Sequence, residues 1–352
     1  MLLDDSQCIA NENSIIPGLF VDEMVSARAL SGHIAKVQRK IQFGEHEKFR
    51  SLQFYVLDPE HSYKAAKQVA EQNIADHIDL NFGCSVKKVM KTGGGASITV
   101  EPDLLREIVR AVVAGVKDAG SSIPVSAKFR LGLDDDDLNY LQTAQIAVEE
   151  GCQLLTLHAR TAKQFYSGSA DWSHIKTLRS ETPDSVLVFA NGDIWGVQDA
   201  ARCLEFTGAD GVAIGRGCMG RPWIFRELKH FFETGSAVAI RPSLGDVVDI
   251  MLRHAELTVQ WTSKQHEFSP AEPTAADGYE TKAIKAFRAN LGPYLKGFPV
   301  KQFKLDIMRA TTLDELTRAL GRLDRSAQYA PEIENAPRGR TKAQKKVYLP
   351  NR

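Results

Sequence analysis

The chain has 352 residues, room for one large domain and a smaller one, since an α/β barrel alone takes about 250 residues. Hydrophobic residues make up 43% and charged residues 25%, which excludes a mainly disordered chain. Basic and acidic side chains balance at 44 each, so any nucleic-acid site must arise from a local asymmetry and not from the overall field.

No run of about 18 apolar residues is present, and no basic segment leads into an apolar one at the N-terminus, so neither a membrane span nor a secretory leader is expected. The cysteines Cys8, Cys84, Cys152, Cys203 and Cys218 show no close pairing of the kind found in disulfide frameworks or zinc sites. A reducing, cytoplasmic setting without a metal is the expectation.

Residues 1–17 form a divergent segment in which Asp4, Asp5, Ser6, Asn11, Glu12, Asn13 and Ser14 give little strand character, so residues 1 to about 15 are expected to be poorly ordered or irregular. Strand-like runs follow at residues 19–23, 52–56, 77–81, 125–130, 154–158, 186–190 and 211–214. Stretches of helical period separate them, such as residues 63–72 and 104–117; the second carries Leu104, Leu105, Ile108, Val109 and Val112. This alternation predicts βα units around a parallel sheet. Polar residues recur at or just past strand C-termini, namely Asn81, Arg130, His158 and Asn191, which is where barrels keep their chemistry. A doubly wound sheet would carry a glycine-rich turn after its first strand, and none is there. A TIM-type (β/α)8 barrel over residues 18–240 is therefore expected.

Arg241, Pro242 and Ser243 read as a linker, residues 244–328 as a smaller all-helical domain, and residues 331–352 as a basic tail. Within the helical part Lys282, Lys285 and Arg288 form one stripe, while Ile284, Phe287 and Leu291 form the apolar face. The stripe and the acid-free run over residues 338–352 are each either solvated or turned toward RNA phosphates.

The densest chemical signal runs from His77 through Asp79, Asn81, Gly83 and Cys84 to Lys87 and Lys88, then Gly93, Gly94 and Gly95. A cysteine just past a strand is placed to act as an acid, because a thiol stays largely protonated at neutral pH. His158 and Arg160 lie two residues apart after another strand, so they share a face suited to an anion or a flavin edge. Lys128 lies inside a strand and needs a partner, because burying an unpaired ammonium is costly. Asn191-Gly192-Asp193 and Gly215-Arg216-Gly217 end the last two strands, where barrels bind phosphate.

Taken in order, Leu80-Asn81-Phe82-Gly83-Cys84-Ser85-Val86-Lys87-Lys88, Lys128-Phe129-Arg130-Leu131-Gly132, His158-Ala159-Arg160-Thr161, Asn191-Gly192-Asp193-Ile194 and Gly215-Arg216-Gly217 resemble tRNA-dihydrouridine synthases, nearest the bacterial B-type group. The match runs from about Gly18 onward and extends into the helical part through Ala286-Phe287-Arg288 and Tyr294-Leu295-Lys296-Gly297. The resemblance implies an FMN-binding barrel, a helical tRNA-binding domain, NADPH as electron donor, tRNA as partner and no protein partner. It implies that Cys84 protonates C5 of a uracil and that Asn81 holds the base. Gln53, Lys128 and His158 would meet the flavin, Asn191, Gly192, Asp193, Gly215 and Arg216 its ribityl-phosphate end, and Arg130 and Arg160 the RNA.

Two features depart from the family pattern. Ser85 stands where the family has proline, and nothing in residues 1–17 resembles the family's first strand with its proline-methionine-alanine flavin contact. Residues 19–23 would then be the second strand, the barrel would be incomplete at its N-terminus, and FMN would bind more weakly than to a closed barrel. Two alternatives stand beside this reading: an FMN barrel oxidoreductase acting on a small molecule, and a non-catalytic RNA-binding remnant.

Overall fold

The computed structural model describes residues 18–32, 37, 40–44, 47–267, 278–330, 333 and 336–339. The poorly ordered or irregular segment expected over residues 1 to about 15 and most of the basic tail lie outside them. The described chain divides into two compact units, one made of Gly18–Ile194 with Ala200–Gly215, the other of Trp195–Asp199 with Arg216–Gly339.

The first unit is a sheet of seven parallel strands in unbroken chain order: β1 (Val25–Ser26), β2 (Ser51–Tyr55), β3 (His77–Phe82), β4 (Val125–Arg130), β5 (Leu154–His158), β6 (Leu187–Asn191) and β7 (Gly211–Ala213). Helices follow the strands: α1 (Ala27–Gly32), α2 (Pro59–Glu71), α3 (Lys87–Lys91), α4 (Pro102–Asp118), α5 (Tyr140–Glu149), α6 (Ser173–Glu181) and α7 (Val197–Thr207). This is the expected TIM-type order of βα units. Strands β1 and β7 are not paired with each other among the described residues, in keeping with a barrel that lacks its first strand.

All but the first of the expected strands are present to within a residue at each end. The run at residues 19–23 is not a regular strand. Val21 bridges Ser51 and the Asp22 N–H donates to the Ser51 carbonyl at 3.0 Å, but regular pairing starts only where Val25 meets Phe54. The chain advances one residue more than its partner between these two points, which is a bulge. Its cause is local: the Asp22 carboxylate accepts the Glu23 N–H at 2.8 Å, and acidic residues are poor strand formers.

The helices form for ordinary reasons. In α2 the Asp58 side chain accepts the His61 N–H, Pro59 opens the first turn, and Ser62, Ala65, Ala66 and Val69 give one buried stripe. In α4 the buried stripe is Leu105, Ile108, Val109 and Val112. Such stripes need an apolar sheet face, and alternation supplies it through Leu52, Phe54, Ile78, Leu80, Phe82, Ala127, Phe129, Leu155, Leu157, Val188 and Ala190, all fully buried.

The opposite sheet face is polar. Strand register places Gln53, Asp79 and Ser126 side by side, then Asn81, Lys128 and Thr156, then Arg130, His158 and Asn191. Every functional position expected from the strands lies on this face.

The second unit is helical: α8 (Ile224–Thr234), α9 (Leu244–Glu267), α10 (Gly278–Tyr294), α11 (Lys304–Arg309) and α12 (Leu313–Leu320). Its core gathers Val247, Val248, Met251, Ile284, Phe287, Leu291, Leu316 and Leu320. Helix α12 is capped by Thr312, whose side chain accepts the Glu315 N–H, while the Glu315 carboxylate accepts the Thr311 N–H. A fully buried ion pair joins Arg221 to Glu227 at 2.7 Å.

Ile284, Phe287 and Leu291 are buried, as the stripe pattern requires, and Lys282 and Lys285 are exposed. Arg288 is different: its guanidinium donates to the Arg309 and Ala310 carbonyls at the end of α11. Arg338, expected to open the basic tail, is also a core residue, 3% exposed and donating to the Tyr329 hydroxyl. No helix among the described residues is long and apolar enough to cross a membrane.

Candidate active site

Cys84 follows the end of β3 in a loop fixed from both sides. Its N–H donates to Asn81 Oδ1 at 2.9 Å, as does that of Gly83 at 3.2 Å, and its carbonyl accepts from the Ala96 N–H at 3.0 Å. Ala96 belongs to a small apolar cluster with Met90, Leu133 and Ala162. Gly95 has φ +61°, and a Cβ there would overlap the Cys84 carbonyl oxygen, so the loop closes only over glycine. Ser85 is buried beside the half-buried Cys84.

Lys128 is the cross-strand partner of Asn81, one strand from the cysteine loop. Its Nζ donates to Asn191 Oδ1 at 3.2 Å, and Asn191 Nδ2 donates to the Ala213 carbonyl at 2.7 Å. Burial pushes the ammonium down from the ordinary 10.5 to about 8; Arg130 adds to the push, and Asp79 and Cys84 oppose it. The partner that a lysine in a strand requires is thus an amide, supported by a carboxylate farther off.

Gln53 joins this face through Asn81 Nδ2, which donates to Gln53 Oε1 at 2.7 Å, and through Asp79, which accepts from Gln53 Nε2 at 2.6 Å. Sequence reasoning misses Asp79 as a site residue, although the alternation His77, Asp79, Asn81 already places it on the same face. His158 is buried between Arg130 and Asn191 in the register, and Gly192 passes against it. Gly192 has φ +120°, and a Cβ would stand 2.7 Å from the Ala170 Cβ, so glycine is required. Around an ideal Cβ at Gly215 there is open space.

The two arginines assigned to RNA are placed otherwise. Arg130, 5% exposed, donates to the Gly83, Thr161 and Phe165 carbonyls at 2.9, 3.1 and 3.0 Å. Arg160, 1% exposed, donates to the Ser167 and Gly168 carbonyls and reaches both Asp193 oxygens at 2.7 and 2.9 Å. Neither guanidinium offers a surface to a polynucleotide; both stitch loops together, because irregular loops leave carbonyls that only a long donor can satisfy. Phe165 and Asp193 have φ +55° and +54°, and each is held by one of these arginines. Asp193, assigned to the phosphate end, is thereby committed to Arg160 and to the Ala170 N–H at 2.7 Å. Arg216 belongs to the helical unit, where its guanidinium stacks 4.7 Å from the Trp195 ring centre.

The polar sheet face thus gathers a thiol at a strand end, a lysine whose charge burial disfavours, and amides in fixed orientation. Residues 5–317 match the sequence model described as "Dihydrouridine synthase (Dus)", so the match starts ahead of Gly18. A protein of Mycobacterium leprae (strain TN) named "Probable tRNA-dihydrouridine synthase" is 41% identical over 337 residues, covering 96% of this chain and 82% of that one. "tRNA-dihydrouridine synthase B" of Vibrio cholerae serotype O1 is 36% identical over 280 residues, covering 75% and 84%. The chain therefore belongs to the dihydrouridine synthase family.

Proposed function

We propose that the barrel unit binds FMN and reduces uridine to 5,6-dihydrouridine in tRNA, with NADPH as the electron donor. The observation that carries this is the juxtaposition of Asn81 with Lys128 across β3 and β4, while Asn81 also holds the backbone of Cys84. A flavin and a uracil both present planar carbonyl-rich edges, and the donors of Gln53, Asn81 and Lys128 suit such edges. Lys128 would favour the anionic reduced ring, and His158, Asn191, Gly192 and Gly215 would line the remainder of the flavin site. Asp193 supports that rim from beneath through Arg160 and the Ala170 N–H. Arg216 keeps its phosphate assignment on the strength of the resemblance alone.

Reduced FMN, when bound, supplies hydride to C6 of the uracil. Cys84 holds the proton that C5 takes up, and Asn81 keeps the cysteine loop and the base in one frame. A stacked base cannot enter, so the target uridine leaves its stack at a cost of about a few kcal/mol, offset by contacts to the RNA backbone. With Arg130 and Arg160 buried, the exposed Lys282 and Lys285 of α10 are the candidates for those contacts. Arg288 instead ties α10 to the end of α11.

The test is direct. Purified protein, checked for flavin absorbance, is incubated with NADPH and tRNA from a strain lacking dihydrouridine, and nucleosides are read by mass spectrometry. A two-mass-unit gain on uridine is expected. Flavin-bearing protein that oxidises NADPH but leaves tRNA unchanged would favour a small-molecule substrate.

A further inference from the structure

The carboxylate of Asp79 has no part in the steps above, yet it is 4% exposed on the site's own face. It accepts from Gln53 Nε2 at 2.6 Å and from the Ser126 hydroxyl. A carboxylate can only accept, so Gln53 must turn its NH2 group toward Asp79 and its oxygen away. That oxygen accepts from Asn81 Nδ2 at 2.7 Å, which turns the Asn81 oxygen toward the Gly83 and Cys84 N–H groups at 3.2 and 2.9 Å. Backbone N–H groups can only donate, so the chain of bonds is fixed at both ends and admits one sense.

We propose that Asp79 is a positioning residue that sets the hydrogen-bonding sense of Gln53 and Asn81, so that both amides turn N–H donors toward a bound ring while the Asn81 oxygen holds the Cys84 loop. One hydrogen on each amide nitrogen enters the chain and the second remains. For Asn81 the second faces Met24 Sδ at 3.6 Å, a weak acceptor that a ring carbonyl would displace. The site therefore takes a ring edge carrying acceptors, such as a pyrimidine or flavin carbonyl, and disfavours an amino group there. The identity of the ring rests on the function proposed above; the wiring does not. Asp79 also opposes the discharge of Lys128, so one carboxylate serves both the amides and the amine of this face.

Reversing the chain tests this without the cofactor. In Asn81→Asp, the new carboxylate faces Gln53 Oε1, and flipping Gln53 only moves the clash to Asp79. In Asp79→Asn with Asn81→Asp, every bond is restored and the two at Gln53 reverse: the carboxylate now at position 81 would accept from Gln53 and the loop, Gln53 from the amide at position 79, and that amide from Ser126. Asn81→Asp should lower the melting temperature by several degrees and change the rate at which iodoacetamide alkylates Cys84. The double variant should recover most of both, a strongly non-additive cycle. Dihydrouridine formation should stay low in the double variant, because a carboxylate at position 81 donates nothing to the ring. An Asn81→Asp protein as stable as the parent, or a double variant no better than Asn81→Asp alone, would overturn the wiring. Full activity in the double variant would overturn the donor edge. A parent that makes no dihydrouridine would sink the functional reading, while the melting cycle would still decide the wiring.

Discussion

Lys128 Nζ lies 3.2 Å from Asn191 Oδ1, so a lysine of β4 is tied to an amide of β6 across the intervening strand β5. The bond crosses the polar face at the level where the cysteine loop begins. It holds the amine where burial disfavours its charge, which gives the site a measurable pH signature.

That signature has a definite sign. The folded protein releases the Lys128 proton near pH 8, whereas the unfolded chain keeps it to about 10.5. Between these values the unfolded state binds more protons, so stability contributed by this residue rises with pH, and below 8 the full penalty is present. Lys128→Met should remove this upward component. Melting temperatures of parent and variant, measured from pH 7 to 10.5, should converge as the pH increases.

Cys84→Ala should retain flavin and NADPH oxidation and lose about a hundredfold or more of its dihydrouridine formation, the usual range for removing a general acid. Stopped-flow flavin reduction with NADPH separates the two half-reactions. Undiminished product from the variant would remove Cys84 from the chemistry.

Gly95→Ala should damage the same loop without touching the thiol. Its φ of +61° disfavours a side chain, and the added methyl collides with the Cys84 carbonyl oxygen. A stability loss above about 1 kcal/mol is expected in denaturant titration, together with altered alkylation of Cys84.

The helical unit should be sensitive to acid. Burial pushes His254 down from the ordinary 6.5 to about 4, in a pocket where it meets the Tyr294 hydroxyl at 3.2 Å and the Phe287 ring edge-on. The unfolded state takes up the proton first, so stability is lost as pH falls from about 6.5 through about 4. His254→Gln should flatten that limb of the melting profile.

Lys282→Ala with Lys285→Ala should weaken tRNA binding and reduce the slope of log affinity against log salt, by about 0.7 to 0.9 for each phosphate that no longer meets a lysine. Arg288→Ala should instead lower the melting temperature, since it leaves the Arg309 and Ala310 carbonyls without their donor. Filter binding over a salt series distinguishes these outcomes.

Much of this is legible in the sequence, and each failure has a physical cause. Apolar runs locate β2 to β7, because burial against helices imposes a pattern on each strand separately. Cys84, Lys128 and Asn191 stand out as polar residues in or after strands, which requires no knowledge of partners. Asp79 and Ser126 escape notice because their significance lies in strand register, which pairs residues far apart in sequence. Arg130 and Arg160 read as RNA ligands because nothing local reveals that loop carbonyls will converge on them. The run at residues 19–23 misleads because Val21 and Val25 both pair, but with a slip that only Asp22 and its neighbours explain.

The pairing of each buried arginine with one left-handed residue has a consequence for ligand entry. Phe165 and Asp193 occupy conformations that cost free energy, and Arg130 and Arg160 offset that cost when the chain folds. The loops bearing the rim of the site are thus preorganised, and a ligand need not spend its binding energy on ordering them. Loosening either arginine would shift that ordering from folding to association. Affinity would fall through the entropy of binding, with every residue that touches the ligand still in place.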